Sequence, residues 1–171
     1  MSIEWNALVT SFKALESRPE WDRDAHPTLL KFLAQLSIGG VVIGGLELRG
    51  AASKTVENRN VMFQLEHFPI GKKRTPLFRI EYRPFRTHHN LDFGPPELHW
   101  LEIKGTHDHP FEFNFIEQEN RMRSGNLPVA RPIDPDPNSF EDFLDLCSKR
   151  FNIANMGLIP PPKWQGDLFQ V

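Results

Sequence analysis

Five of the seven histidines of this chain fall between residues 88 and 109: His88, His89, His99, His107 and His109. Imidazole titrates near neutral pH and ligates transition metals through either ring nitrogen. Such a cluster therefore offers a metal site or an acid–base site. His107 and His109 are two apart, so in a strand they share a face. Phe111, Phe113 and Phe115 have the same parity, and His99 shares parity with Leu101 and Ile103. Parity predicts that His99, His107 and His109 turn towards the apolar interior as candidate ligands of a divalent transition metal. His88 and His89 close a strand containing Phe78, Ile80 and Tyr82 and are expected to meet His107 at one rim of the sheet. Histidines in turns also bond backbone carbonyls. Asn90, Asp92, Gly94, Thr106 and Asp108 are turn formers that need such partners, so a structural role for most of the five competes with both chemistries.

The acid–base chemistry need not involve a metal. RNA carries its own nucleophile, the 2′-hydroxyl, so its cleavage needs only a general base, a general acid and a cation for the phosphate. His88, His89 and His107 with Arg79 and Arg83 are the candidate catalytic set, and Tyr82 and Thr106 lie nearby in sequence. Six bases (Lys72, Lys73, Arg74, Arg79, Arg83, Arg86) and one acid, Glu81, occupy residues 72–86, whereas residues 134–145 carry five acids and no base. A net charge of −2 argues against a general nucleic-acid coat. The two charge runs are either solvated faces or, for Lys72, Lys73 and Arg74, a local patch for an anionic partner such as RNA. Trp100, opposite His99 in parity, is a surface aromatic and a candidate anchor for a protein partner.

The elements that must position these groups follow from periodicity. Trp5, Leu8, Val9, Phe12 and Leu15 predict a helix over 3–16, and Leu29, Leu30, Leu33 and Leu36 predict a second over 27–36, stopped by Gly39-Gly40. The period then changes to two. Strands are expected over 41–49 with a bulge at Gly44-Gly45, over 61–66, and over 78–85, the last two joined by a hairpin loop between Pro69 and Pro76. Further strands are expected over 98–103 and 109–116. Four prolines keep 125–138 irregular. Ser139 caps a last helix with Phe140, Phe143, Leu144, Cys147 and Phe151 on one face, followed by an extended tail with docked aromatics.

The expected fold is α+β: a curved, mostly antiparallel sheet or partial barrel of about five strands, with two N-terminal helices and one C-terminal helix. The expected organisation is a single domain, with a helical part over 1–38, the sheet over 39–118, a Pro-rich loop over 119–138, a helix over 139–155 and the tail over 156–171. The 171 residues, 39% of them hydrophobic, suffice for one core. A single cysteine, Cys147, excludes an internal disulfide, and a disulfide-linked partner is not expected. No apolar run reaches the ~20 residues of a membrane span. The N-terminus lacks a secretory pattern, so a cytoplasmic location is expected. Gly39-Gly40 to Gly44-Gly45 lacks the lysine and spacing of a phosphate loop.

Three resemblances add expectations. Leu77 to Glu81, His88-His89-Asn90, Pro96 to His99 and the ending from Phe140 to Ile153 resemble a family of small uncharacterised bacterial His-rich α+β proteins, over about residues 46–170. The aromatic strand followed by clustered histidines is similar to the TumE-type toxins of toxin–antitoxin pairs. These imply a prokaryotic or phage-related accessory protein; the residues themselves add the expectation that it binds or cleaves RNA through a His/Arg rim. A non-enzymatic protein–protein interaction module is the alternative. His107-Asp108-His109 with Glu112 is similar to the first metal motif of cupins, a histidine pair followed by a glutamate, and implies a metal-binding protein.

Overall fold

The structure is a computed structural model that describes residues 5–115, 122 and 126–164. Among them, β1 (Lys13–Leu15), β2 (Leu29–Ile38), β3 (Val41–Ser53), β4 (Val61–His67), β5 (Thr75–Tyr82), β8 (His107–His109) and β9 (Arg131–Pro132) form one open antiparallel sheet in the order β1-β2-β3-β4-β5-β8-β9. A separate two-stranded ladder pairs β6 (His88–His89) with β7 (Glu102–Ile103). Helices occupy Trp5–Thr10, residues 111–115 and Phe140–Phe151, and short 3-10 turns occupy Pro96–Leu98 and Met156–Leu158. The sheet is thus larger than the five strands expected, and it does not close into a barrel. No helix among the described residues is long and apolar enough to cross a membrane.

The helix expected over 27–36 is a strand. Leu29, Leu30, Leu33 and Leu36 fit a helical stripe, but Leu30, Phe32, Ala34 and Leu36 also alternate, and these are the buried residues of β2. Gly39 and Gly40 do not end a helix. Both have positive φ, 59° and 78°, as the two central residues of a tight β2–β3 hairpin require. The bulge expected at Gly44-Gly45 is present: the register jumps from Gln35↔Glu47 to Ser37↔Val42. The loop expected between Pro69 and Pro76 connects β4 to β5.

The helix expected over 3–16 runs only from Trp5 to Thr10. Lys13, 1% exposed, turns back and donates to the carbonyls of Leu8, Val9 and Ser11, closing the helix end so that the chain can continue as β1. The strand expected over 109–116 is helical at 111–115, because Phe111 and Phe115, four apart, stack at 4.9 Å. The strand expected over 98–103 is cut down to β7, Glu102–Ile103: a 3-10 turn at Pro96–Leu98 runs into a turn at His99 and Trp100, since Pro95-Pro96 opens a turn and Trp100 takes φ 61°. Arg131 and Pro132 pair with β8 inside the Pro-rich stretch that was expected to be wholly irregular. Trp164 meets Phe140 at 6.1 Å, as the docked tail requires. Phe169 lies outside the described residues.

One sheet face carries the core. Leu48, Leu65, Phe63, Ile80 and Tyr82 meet Phe140, Phe143, Leu144, Cys147 and Phe151 of the C-terminal helix. Tyr82 stacks on Phe143 at 4.9 Å, and Phe63 lies 5.1 Å from the same ring. Ser139 caps that helix by accepting from the Asp142 N–H at 3.0 Å. Ser139→Ala should therefore cost about 1 kcal/mol, and Ser139→Asp should cost much less. The denaturation midpoint at unchanged slope reads this, and equal midpoints for the alanine variant and the parent would exclude it.

The opposite face is polar, in rows that cross the strands. One row runs Leu33, Arg49, Gln64, Arg79, His109, and the next runs Lys31, Ala51, Met62, Glu81, His107. A third row contains Glu47 and Glu66. Glu66 is fully buried and accepts from Arg49 at 3.0 and 3.1 Å, from Gln64 at 2.9 Å, and from Arg74. These rows carry the candidate site.

Candidate metal centre

Three histidines converge at the β8 end of the polar face. The imidazoles of His107 and His109 lie 5.0 Å apart between centroids, and His88 lies 5.5 and 4.8 Å from them. One ring nitrogen from each falls within 4.8 Å of the other two. Strand pairing sets this arrangement. His107 and His109 share a face of β8, and β8 pairs antiparallel with β5 so that His107 lies opposite Glu81 and His109 opposite Arg79. His88 arrives from β6.

Hydrogen bonds fix which nitrogen of each ring is free. His107 Nδ1 lies 2.8 Å from the Gly105 carbonyl, and His109 Nδ1 lies 2.8 Å from the Leu127 carbonyl. A carbonyl only accepts, so each Nδ1 carries a proton, and in the neutral ring each Nε2 then presents a lone pair. Both Nε2 atoms are buried without a hydrogen-bond partner. His88 Nε2 lies 3.0 Å from Asn90 Oδ1 and 3.1 Å from the Pro128 carbonyl, so it is the donor, and His88 Nδ1 is the free lone pair. Asn90, 2% exposed, is itself pinned: its Nδ2 donates to the Leu98 and Ala130 carbonyls, and its Oδ1 accepts from the Ala130 N–H. Asn114 holds Val129 in the same way, at both its N–H and its carbonyl. The Pro-rich segment is thereby clamped as the wall that orients His88 and His109.

Glu81 faces the open side. Its Oε1 lies 3.6 Å from His109 Nε2, and its Oε2 lies 3.9 Å from His107 Nε2. Arg79 Nη1 lies 3.6 Å from the same carboxylate. Burial alone would raise the Glu81 carboxyl. The neighbouring His109 and His107, when protonated, and the Arg79 guanidinium outweigh it and hold the group at about 2. Burial pushes His109 down to about 4 and lowers His88 as well, so both rings are neutral at pH 7, the form that ligates a metal. A cavity of about 200 Å³ lined by Leu29, Ala51, Asn60, Met62, Arg79 and Glu81 opens beside the carboxylate.

Several residues expected at the site are elsewhere. His99 is half-buried and bonds the Gly94 carbonyl at 2.9 Å, so it shapes the 94–99 turn and does not join His107 and His109. His89 is exposed, because it follows His88 in β6 and takes the other face. Arg83 is held by Asp136 at 2.6 Å and by the Pro137 carbonyl at 2.8 Å. Glu112 is exposed on the 111–115 helix, and the nearby carboxylate is Glu81 instead. The histidine parity holds within β8, but the side they share is the polar one, not the phenylalanine side. The basic run is not a single patch. Lys72 and Lys73 are exposed in the loop, while Arg74 turns in to Glu47 and Glu66 under the Phe68 ring. Trp100 is 68% exposed, as expected. Cys147 is buried, and burial pushes its thiol up. Sequence reasoning missed Glu81 and Asn90 as site residues. The signal for Glu81 was its alternation with Arg79 and Arg83 on the polar side of β5.

The chain matches no protein-family model, no curated protein and no solved structure.

Proposed function

We propose that this protein binds one divalent transition-metal ion through His88 Nδ1, His107 Nε2 and His109 Nε2, with the Glu81 carboxylate beside them. One observation carries this reading. Two buried Nε2 lone pairs, each fixed by an Nδ1–H···O=C bond, face each other and an anionic carboxylate. Lone pairs and an anion crowded together repel unless a cation lies among them. A carbonyl bonded to the remote ring nitrogen is also the usual support of a metal-bound histidine. Tetrahedral ligands about 2.1 Å from an ion lie ~3.4 Å apart, so separations of up to 4.8 Å need to close by about 1.4 Å at most. Three imidazoles and a carboxylate suit zinc, iron, manganese, cobalt or nickel. The ion would supply a Lewis acid beside Glu81.

The metal-free reading, in which a toxin-like or defence-associated protein cleaves RNA, has less support. Its Arg83 and His89 lie away from the cluster, and His107 and His109 are buried at 1% exposure. A protein-interaction role through Trp100 has exposure alone in its favour.

Chelator-treated protein should take up one equivalent of zinc or cobalt(II) by calorimetry, with a rise in melting temperature. His107→Ala and His109→Ala should each weaken binding at least a hundredfold, whereas His99→Ala should not. Failure of the parent to bind any of these ions at micromolar concentration, or full binding by the His107→Ala/His109→Ala double variant, would sink the proposal.

A further inference from the structure

We infer that one end of the large sheet is a docking surface for an anionic lipid bilayer. It is independent of the metal reading. Three segments build it: the β2–β3 hairpin, the loop over 68–74 and Phe12, the residue before β1. They reach the same end because their strands are antiparallel neighbours. Ile38 pairs with both Lys13 and Val41, and Leu46 pairs with His67. The hairpin and the loop are then fixed to one another. The Phe68 N–H donates to the Gly45 carbonyl at 2.6 Å. A Cβ on Gly45 would collide with the Phe68 carbonyl, and Gly45 takes φ 77°, so glycine alone allows the two backbones this close.

Phe12, Val41, Val42, Phe68 and Ile70 are all exposed at this end, Ile70 completely. A gathering of large apolar side chains on the surface marks a contact site. The exposure of Ile70 is built into its loop. The Lys72 N–H donates to the Pro69 carbonyl at 3.1 Å, and Gly71 takes φ 71°, the two marks of a type II turn with Ile70 as its first central residue. Charge selects the occupant. Lys72 and Lys73 are exposed beside Ile70, and residues 36–46 and 67–74 contain no acid. Glu47 and Glu66, the acids of the adjoining strands, are taken up by Arg74. A bilayer with anionic headgroups satisfies both halves of this pattern. The lysines stay among the headgroups while the apolar tips enter the acyl boundary, and no spanning helix is needed. A second copy of the chain satisfies only one half. A two-fold contact through this end would bring the lysines of both copies together with no carboxylate in these loops to pair them.

Flotation of the full chain with lipid vesicles tests the surface. Phosphatidylcholine vesicles containing about 30% phosphatidylserine should carry the protein at low salt, and pure phosphatidylcholine should bind it at least tenfold more weakly. Each lysine near an anionic surface is worth roughly fivefold in affinity, so Lys72→Gln/Lys73→Gln should weaken binding about 20-fold. Raising the salt from ~0.05 to ~0.5 M should weaken the parent in the same way. Ile70→Ser should weaken it at least fivefold. These side chains are exposed, so the variants keep the fold. Trp100→Ala removes an exposed aromatic from the turn before β7 and should bind as the parent does. A parent that does not float with the anionic vesicles overturns the proposal, as does unchanged flotation of both Ile70→Ser and the double lysine variant. A parent that dimerises without vesicles in sedimentation velocity, and that Ile70→Ser makes monomeric, assigns this end to a second copy and overturns the lipid surface.

Discussion

Asn90→Ala should cost about 3–5 kcal/mol of stability and weaken metal binding 10- to 100-fold. Asn90 is buried and makes four hydrogen bonds: to the Leu98 carbonyl at 3.0 Å, the Ala130 carbonyl at 2.7 Å, the Ala130 N–H at 2.8 Å and His88 Nε2 at 3.0 Å. Alanine leaves the N–H and carbonyl of fully buried Ala130 without Asn90, each worth about 1–3 kcal/mol, while the Leu98 carbonyl keeps the Leu101 N–H at 3.3 Å. It also frees the His88 ring to rotate about its remaining bond to Pro128. Chemical denaturation reads the first effect, and calorimetric titration with zinc of the folded variant reads the second. A variant that loses stability but binds zinc as tightly as the parent would reduce Asn90 to a structural clamp.

Arg131→Ala should destabilise by a similar amount, about 3–5 kcal/mol, and change zinc affinity far less. Asp108 is fully buried, and Arg131 holds both its oxygens, Nε to Oδ1 at 3.1 Å and Nη2 to Oδ2 at 2.8 Å. Arg150 reaches it only at 3.6 Å. Removal of Arg131 leaves a buried carboxylate with that one distant partner. Arg131→Lys keeps the charge and loses the fork, so it should fall between. Removing both charges, with Asp108→Leu and Arg131→Met together, should recover most of the loss, because burial of the ions costs about as much as their pairing returns. A double variant as unstable as Arg131→Ala would contradict that account. Arg131→Ala also serves as a control for Asn90, since it weakens the fold without touching the three imidazoles.

What the sequence shows of this fold depends on how each element is held together. The C-terminal helix is legible from Ser139 to Phe151 because cap, stripe and length agree. β4 and the middle of β5 are legible from alternation, but β5 runs from Thr75 to Tyr82 and not from 78 to 85: Arg83 takes φ 44°, and His88-His89 belong to the separate β6. β2 is not legible, because leucines at 29, 30, 33 and 36 satisfy both periods, and only its pairing with β3 decides. The Gly39-Gly40 pair carried the deciding information, since adjacent glycines before a β-branched run suit a hairpin at least as well as a helix stop. The segment 111–115 misleads in the opposite sense: alternate phenylalanines suggest a strand, and an i,i+4 stack makes a turn of helix. His107 and His109 as a pair are legible from parity alone. Glu81 is not, because its neighbours come from the β5–β8 register, which joins residues about 25 positions apart.

β8 is only three residues long, yet its two sides belong to different parts of the molecule. Its odd-numbered side chains lie in the imidazole cluster, and Asp108 between them is locked to Arg131 against the core. A slip of one residue would exchange the two sides, placing a carboxylate among the imidazoles and imidazoles in the apolar core. The segment from Gly105 to Pro110 can therefore drift by substitution but not by a change of length. A single inserted or deleted codon there would cost the protein its fold and its site at once.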